Sequence, residues 1–373
     1  MSLLSRRSFT LGALLTLPAW TQLGAAEARG PTGGWLSTAG IDDGFAAVCV
    51  DAANTADVRA PAPARLHGVE ASPTGPLAVA VGRRPGHVAV VFRWDQGGAP
   101  VSTFTPGAGR VFSGHGRFTP DGRFFLTNEI ERPQDADGRR TMGRGIIARR
   151  DVAGGFAIIE EWPTQGDGPH DLLRSGDMLV VANGGIEPHT PEARAAEVTG
   201  SSITVLDPAS GGQRGEGRLS DDLASLSLRH LARDGARSTV VAAQDLLNDG
   251  VARPLLFGIY ADGALRPFDA PETAWRELRG YVGSVAYDAS GRYVACSSPR
   301  GGRVGVWRAD GRYIGMVPLV DGCSLASTYE AGTFIAASGY GEVIRIAAHD
   351  DGVGITGRRT GGPRFDNHMV RIG

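Results

Sequence analysis

The chain contains no lysine, so arginine supplies all 38 of its basic residues. That is a matter of genomic base composition and carries no functional message of its own. The arginines are nearly balanced by 40 acidic residues, and a net charge of −2 argues against nucleic acid or an acidic membrane surface as a partner. Cysteine is scarce too. The three present, Cys49, Cys296 and Cys323, fall in no CxxC or CxxCH motif, which excludes a zinc knuckle and a c-type haem attachment site. No GxSxG elbow, HExxH helix or phosphate-binding loop occurs, so serine hydrolase, zincin and nucleotide-binding readings have no motif behind them. The stretch "GYGEV" (339–343) resembles a glycine-rich loop only superficially and reads as a strand-ending turn.

Glycine, by contrast, is abundant. Its 55 residues are about twice the usual share of roughly 7%. With 22 prolines and 42% hydrophobic residues, that composition favours many short strands joined by turns over long helices. A length of 373 residues is enough for one large β domain with a sizeable core.

The first residues read as a targeting segment. "SRRSFTL" (Ser5 to Leu11) is followed by the moderately apolar "LGALLTLPAW" and then by Gly24, Ala25, Ala26 and Ala28, which suit cleavage near 25–28. The apolar run is too short for a stable membrane anchor. Residues 1–28 are therefore expected to be a twin-arginine signal, an address and not an anchor, with an ordinary secretory signal as the alternative. Residues 29–373 are left as one domain in the periplasm, with no membrane span after signal removal. Export by this route is generally of folded proteins, often with cofactor loaded, which is circumstantial support for a cofactor. In an oxidising compartment an odd number of cysteines leaves at least one free or bound; Cys49 and Cys296 read as buried strand residues.

Beyond residue 33 a unit of roughly 40 to 60 residues recurs. Each unit has a short strand, a glycine turn, an apolar strand and a third strand. The turns are "SPTG" (72–75), "TPDG" (119–122), "RSGD" (174–177), "RDGA" (233–236), "DASG" (288–291) and "YEAG" (329–332). After them come strands such as "LAVAV", "FFLTN", "MLVVAN" and "FIAASG", then "HVAVVFRW", "GIIARRDV" and "RVGVWRA". Six such units without helical periodicity predict a β-propeller. The terminal "NHMVRIG" and the N-terminal "GWLSTAG" and "GFAAVCVD" supply a seventh blade between them, closing the ring and removing exposed sheet edges. The fold class is thus all-β, a seven-bladed propeller closed by both termini. Six or eight blades is the alternative, because the 177–230 stretch is long.

The innermost strand of each blade lines the channel. Five to nine residues before each turn glycine stand His67, His115, His170, His230, the pair Gly283-Ser284, and Cys323, and the last inner strand carries His368. Five of eight histidines share one register; His87, His189 and His349 do not. Any one of these five would by itself be read as structural. Converging on one axis, they would repel when protonated, remain neutral, and offer lone pairs to a transition metal. Cys323 would add a soft ligand, and Asp171, Asp366 and Glu129 could orient the rings. A purely structural, polar, water-filled channel is the competing account. Arg300, in the hairpin connection "SPRGGRV" (298–304), reads either as a ligand for an anion at the channel mouth or as a solvated turn residue.

Together "GHGRFTPDGRFFLTNE", "GPHDLL…VVANGGIEPH", "LSLRHLA", "YVGSVAYDASGRYVACSSPRGGRV" and "DNHMVRI" resemble the DUF1513 family over nearly everything after residue 33. The resemblance implies a twin-arginine-exported propeller of Gram-negative bacteria. It also implies gene neighbours that include imelysin-type iron-uptake proteins and a di-haem oxidoreductase, and hence a role in iron acquisition or metal redox handling. The motif positions it carries over are His115, Glu129, His170, Asn183, Arg229, His230, Ser284, Arg300, Asn367 and His368. Asp171 stands where glutamate is usual, and His67 lies in the looser match "RLHGVEASP". Three functions follow as expectations: a transition-metal site, iron or copper, at the channel histidines; a non-catalytic scaffold for iron-uptake proteins; and a lactonase-like hydrolase using a channel metal. The last rests on fold analogy alone.

Overall fold

The computed structural model describes residues 33–132, 143–185, 200–235, 238–247, 249–260 and 263–372. The expected signal segment and His189 lie outside the described residues. Seven four-stranded antiparallel sheets are arranged as the blades of a propeller. Numbered along the chain, their inner strands are Leu66–Ala71, Arg110–Phe118, Pro169–Ser175, Leu226–Arg233, Ser284–Tyr287, Gly322–Ser327 and, in blade 7, Arg364–Ile372. Each inner strand packs against the inner strands of the blades on either side, all the way round.

The turn chemistry works as read. In "TPDG" the Gly122 N–H donates to the Thr119 carbonyl at 2.8 Å, and Gly122 takes φ +68°, a conformation open to glycine at little cost. The second and third strands follow at the expected places. Each blade also has a fourth, outer strand outside the three-strand unit read from the sequence. Gly352–Arg359, for example, has no fully buried residue; only Val353 and Ile355, half-buried, pack against the core between blades 5 and 6. A short helix, Glu272–Glu277, between blades 4 and 5 was likewise not foreshadowed. It buries Trp275 against Trp307 of blade 5, rings stacked at 5.3 Å.

The cores lie between blades. Phe104 of blade 1 packs with Phe112, Phe125 and Phe156 of blade 2. Blade 7 is made as expected from both ends of the chain: Arg364–Ile372 pairs antiparallel with Gly34–Ile41, which pairs in turn with Gly44–Val50. It is packed on both sides. Trp35, Val48, Phe365 and Met369 meet Ile335 and Val343 of blade 6, while Leu36, Cys49 and Ile372 meet Leu66 and Phe92 of blade 1. Cys49 and Cys296 are buried in these interblade cores as apolar filler. Among the described residues no helix is long and apolar enough to cross a membrane.

If the ring depends on this closure, Phe365→Ala should cost about 3–5 kcal/mol, the price of a large core truncation, in guanidinium unfolding of the full chain. A loss under about 1 kcal/mol would show that blade 7 is not a packed part of the ring.

Candidate metal centre

All seven positions predicted to share a register do lie on the seven inner strands. What sequence could not show is how their side chains come to point at the axis. In an unbroken strand alternate residues face the two neighbouring blades. Six of the inner strands break that alternation with a register shift at or beside the site residue: between Leu66 and Val69, Phe112 and Gly116, Pro169 and Asp171, Leu228 and His230, Gly322 and Ser324, and opposite Ser37 and Ala39 in blade 7. A bulge re-aims a side chain and leaves a carbonyl out of the ladder. Buried hydroxyls from neighbouring strands accept that burden. Thr38 donates to the His67 carbonyl at 3.1 Å, Ser113 to that of His170 at 3.4 Å, Ser37 to that of His368 at 2.8 Å and Ser297 to that of Cys323 at 2.8 Å. In blade 7 the bulge also puts His368 in the left-handed region, φ +75°.

The five imidazoles form one cluster. His115 stands centroid to centroid 5.0 Å from His67, 5.2 Å from His170 and 4.5 Å from His368; His230 stands 4.6 Å from His170 and 4.7 Å from His368. Two trios, His67–His115–His170 and His115–His230–His368, each bring three ring nitrogens within 4.8 Å of one another. Close approach needs a bare backbone: a Cβ on Gly114 would strike the His67 ring at 2.7 Å, and Gly114 takes φ +112°. The space beside Gly114 in "GHG" is thus occupied by a neighbouring imidazole.

Polar partners are few. His67 Nδ1 lies 3.3 Å from Asp366, His115 Nδ1 lies 3.4 Å from Asp171, and His368 Nδ1 lies 3.5 Å from the Ser284 hydroxyl. Nε2 of His115 and His368 and both nitrogens of His170 and His230 are buried without a hydrogen-bond partner among the described residues. Burial, then mutual repulsion among the rings and the nearby arginines, holds His115, His170, His230 and His368 well below the ordinary imidazole value. Burial lowers His67 as well, against the pull of Asp366. The cluster is therefore a set of neutral donors.

The two orienting acids differ. Asp171 takes N–H bonds from Leu172 and Leu231 and an ion pair from Arg117 at 3.2 Å, yet burial still raises its pKa. Asp366 is gripped by Arg65 and by Arg83 at 3.2 Å. Burial works to raise it, but His67 and these arginines keep it well below the usual carboxylate range.

Other expected site residues sit elsewhere. The Cys323 thiol shares the register but turns away, 3.1 Å from the Phe365 carbonyl; burial raises its pKa, and the ligand groups among the described residues contain histidine alone. Glu129 is committed within blade 2, accepting from Gly107 at 2.8 Å and pairing with Arg150 at 2.6 Å. The Asn183 amide donates to Thr204 at 2.9 Å within blade 3. Arg229, Arg300 and Asn367 line a cavity of about 1250 Å³ at the end of the channel where the inner strands begin. His115, His230 and His368 border a second cavity of about 440 Å³ toward the strands' far ends. The histidines form the waist between them. Sequence reading missed the bulges, their hydroxyl partners, and Arg65, Arg83 and Arg117; the hydroxyls come from other strands, so nothing local to the site positions announced them.

Residues 60–372 match the family model described as "Protein of unknown function (DUF1513)", and the chain belongs to that family. No curated protein matches it. Among solved structures 909 chains match, so likeness at this level identifies an architecture and not a function. One of them, Kuenenia stuttgartiensis hydrazine synthase, is 14% identical with a TM-score of 0.57, covering 83% of this chain and 88% of that one. It is similar in fold.

The electrostatics predict the pH dependence of the metal-free protein. Each imidazole has a folded-state pKa below its unfolded value near 6.5. Below that pH the unfolded chain binds protons the folded one refuses, so stability is full above about pH 6.5 and falls as the solution is acidified. Denaturant midpoints measured in chelator between pH 7.5 and 5.5 should drop, and His170→Gln should shrink the drop. A flat or rising profile would contradict the neutral cluster.

Proposed function

We propose that this DUF1513 propeller binds one transition-metal ion at the waist of its channel, with His115 as the ligand common to either trio. One observation supports the reading above the others: six ring nitrogens on four histidines are buried with no hydrogen-bond partner among the described residues, and these four supply every member but His67 of the two converging trios. An unsatisfied buried polar atom costs about 1–3 kcal/mol, and a bound cation would satisfy several at once. Neutral imidazoles without thiolate or carboxylate ligands suit iron, copper, zinc or nickel over magnesium or calcium. Asp366 and Asp171 would hold the Nδ1 protons of His67 and His115, leaving their Nε2 lone pairs for the ion. The wider role we infer is iron acquisition or metal redox handling in the periplasm, with iron or copper as the ion. It draws on the N-terminal twin-arginine pattern and on the gene neighbours that the family resemblance implies.

Metal content by mass spectrometry after equilibration with Fe(II), Cu(II) or Zn(II) and desalting tests the site. Wild type should retain about one ion per chain for at least one of these metals. His115→Ala should abolish retention, because it breaks both trios, and so should the His115→Ala/His170→Ala pair. Cys323→Ser should change nothing. If wild type carries no metal at stoichiometric level, the histidines belong to a polar, water-filled channel and the proposal is lost.

A further inference from the structure

The larger cavity, where the channel opens at the start of the inner strands, is lined by eight arginines against three aspartates. On a chain whose net charge is −2 this is a local concentration of positive charge, and concave walls focus such a field. Several of the arginines have partners. Arg65 and Arg83 hold Asp366, Arg253 holds Asp245 at 2.9 Å and Asp249 at 2.8 Å, and Arg276 holds Glu272. Arg229, Arg279 and Arg300 form no ion pair with a carboxylate among the described residues. Among the described residues Arg229 donates only to the Ser227 hydroxyl, at 3.3 Å, and the Arg300 guanidinium lies over the Tyr281 ring at 5.0 Å. Tyr281 in turn accepts from the Asn367 amide at 3.3 Å. The crowding is severe enough that burial, followed by Arg84 and, less strongly, Arg300 and Arg83, pulls Arg229 down to about 9.

We propose that this mouth binds a small organic polycarboxylate through Arg229, Arg279 and Arg300. A guanidinium presents a planar fork that matches one carboxylate, so several uncommitted forks call for several anionic groups on one molecule. The cavity is far larger than a simple inorganic anion needs, and Val251, Ala252, Leu255 and Trp275 on its wall give a carbon skeleton something to lie against. Tyr281 and Asn367 add neutral hydrogen-bonding groups beside Arg300. This site is separate from the histidine cluster: among the described residues no histidine lines the mouth, and its ligand requires no metal.

Citrate titrated calorimetrically into metal-free wild type at low ionic strength is the test. We expect saturable one-site binding that weakens steeply with added salt, with no saturable binding of acetate. Arg229→Gln/Arg300→Gln should lower the association constant at least about tenfold. Arg300→Gln alone, at an exposed turn position, should lower it measurably without touching the fold, while Arg214→Gln on an outer hairpin should not. His115→Ala should leave citrate binding intact, so failure of the metal site and failure of the anion site are read separately. Unchanged affinity in the Arg229 and Arg300 variants would overturn the site. Pyrophosphate binding in preference to citrate would overturn the carboxylate class, and absence of citrate binding at millimolar concentration would overturn the proposal altogether.

Discussion

The pairing of Arg364–Ile372 with Gly34–Ile41 is the interaction on which everything else depends. An open row of blades would leave an unpaired sheet edge at each end and no common axis. Closing the row makes the seven inner strands equivalent, each packed between two others, so residues at one register of each strand come together whatever their separation along the chain. Residues as distant as His67 and His368 end with their rings 4.7 Å apart. The same strand brings Asp366 to His67 and Asn367 to Tyr281, so closure completes both the waist and the mouth.

Closure alone would not aim the imidazoles inward. That is done by the bulges, at a cost the fold meets locally. Hydroxyls take up the displaced carbonyls, Gly114 removes the atom that would strike His67, and His368 accepts a left-handed backbone. Strain of the His368 kind gathers at functional sites, and the bulges are repeated in six of the seven inner strands, which argues that the convergence itself is what they serve. Charge is divided along the same axis: cations at the wide mouth, neutral imidazoles at the waist, and beyond them Glu70, Arg117 and Asp171 around the smaller cavity. An anion entering the mouth meets attraction first and uncharged donors next.

Much of this was legible before any coordinates. The glycine turns at 119–122, 288–291 and 329–332 and the apolar strands behind them announced the blades, because a turn needing φ above zero and a strand buried on both faces each leave a local mark. Outer strands such as Gly352–Arg359 left a weak one, since the strand has no fully buried residue and only Val353 and Ile355 reach a core. The register of His67, His115, His170, His230 and His368 could be counted from those turns. The orientation of each side chain could not. Cys323 shows the difference: it occupies the right place in its strand, and its thiol points to the Phe365 carbonyl. Glu129 shows it again, an acid close to His115 in sequence whose charge is consumed by Arg150 inside its own blade.

By itself the sequence determined the propeller architecture, with seven blades favoured over six or eight, the closure by both termini, and which residues share a level on the axis, because these follow from local turn chemistry and a repeat length. Only the tertiary structure decided which of those residues face one another, which nitrogens lack a partner, and which arginines gather at one mouth. Those are contacts between strands from about fifty to about three hundred residues apart, set by bulges and interblade packing that leave no periodic trace in the chain.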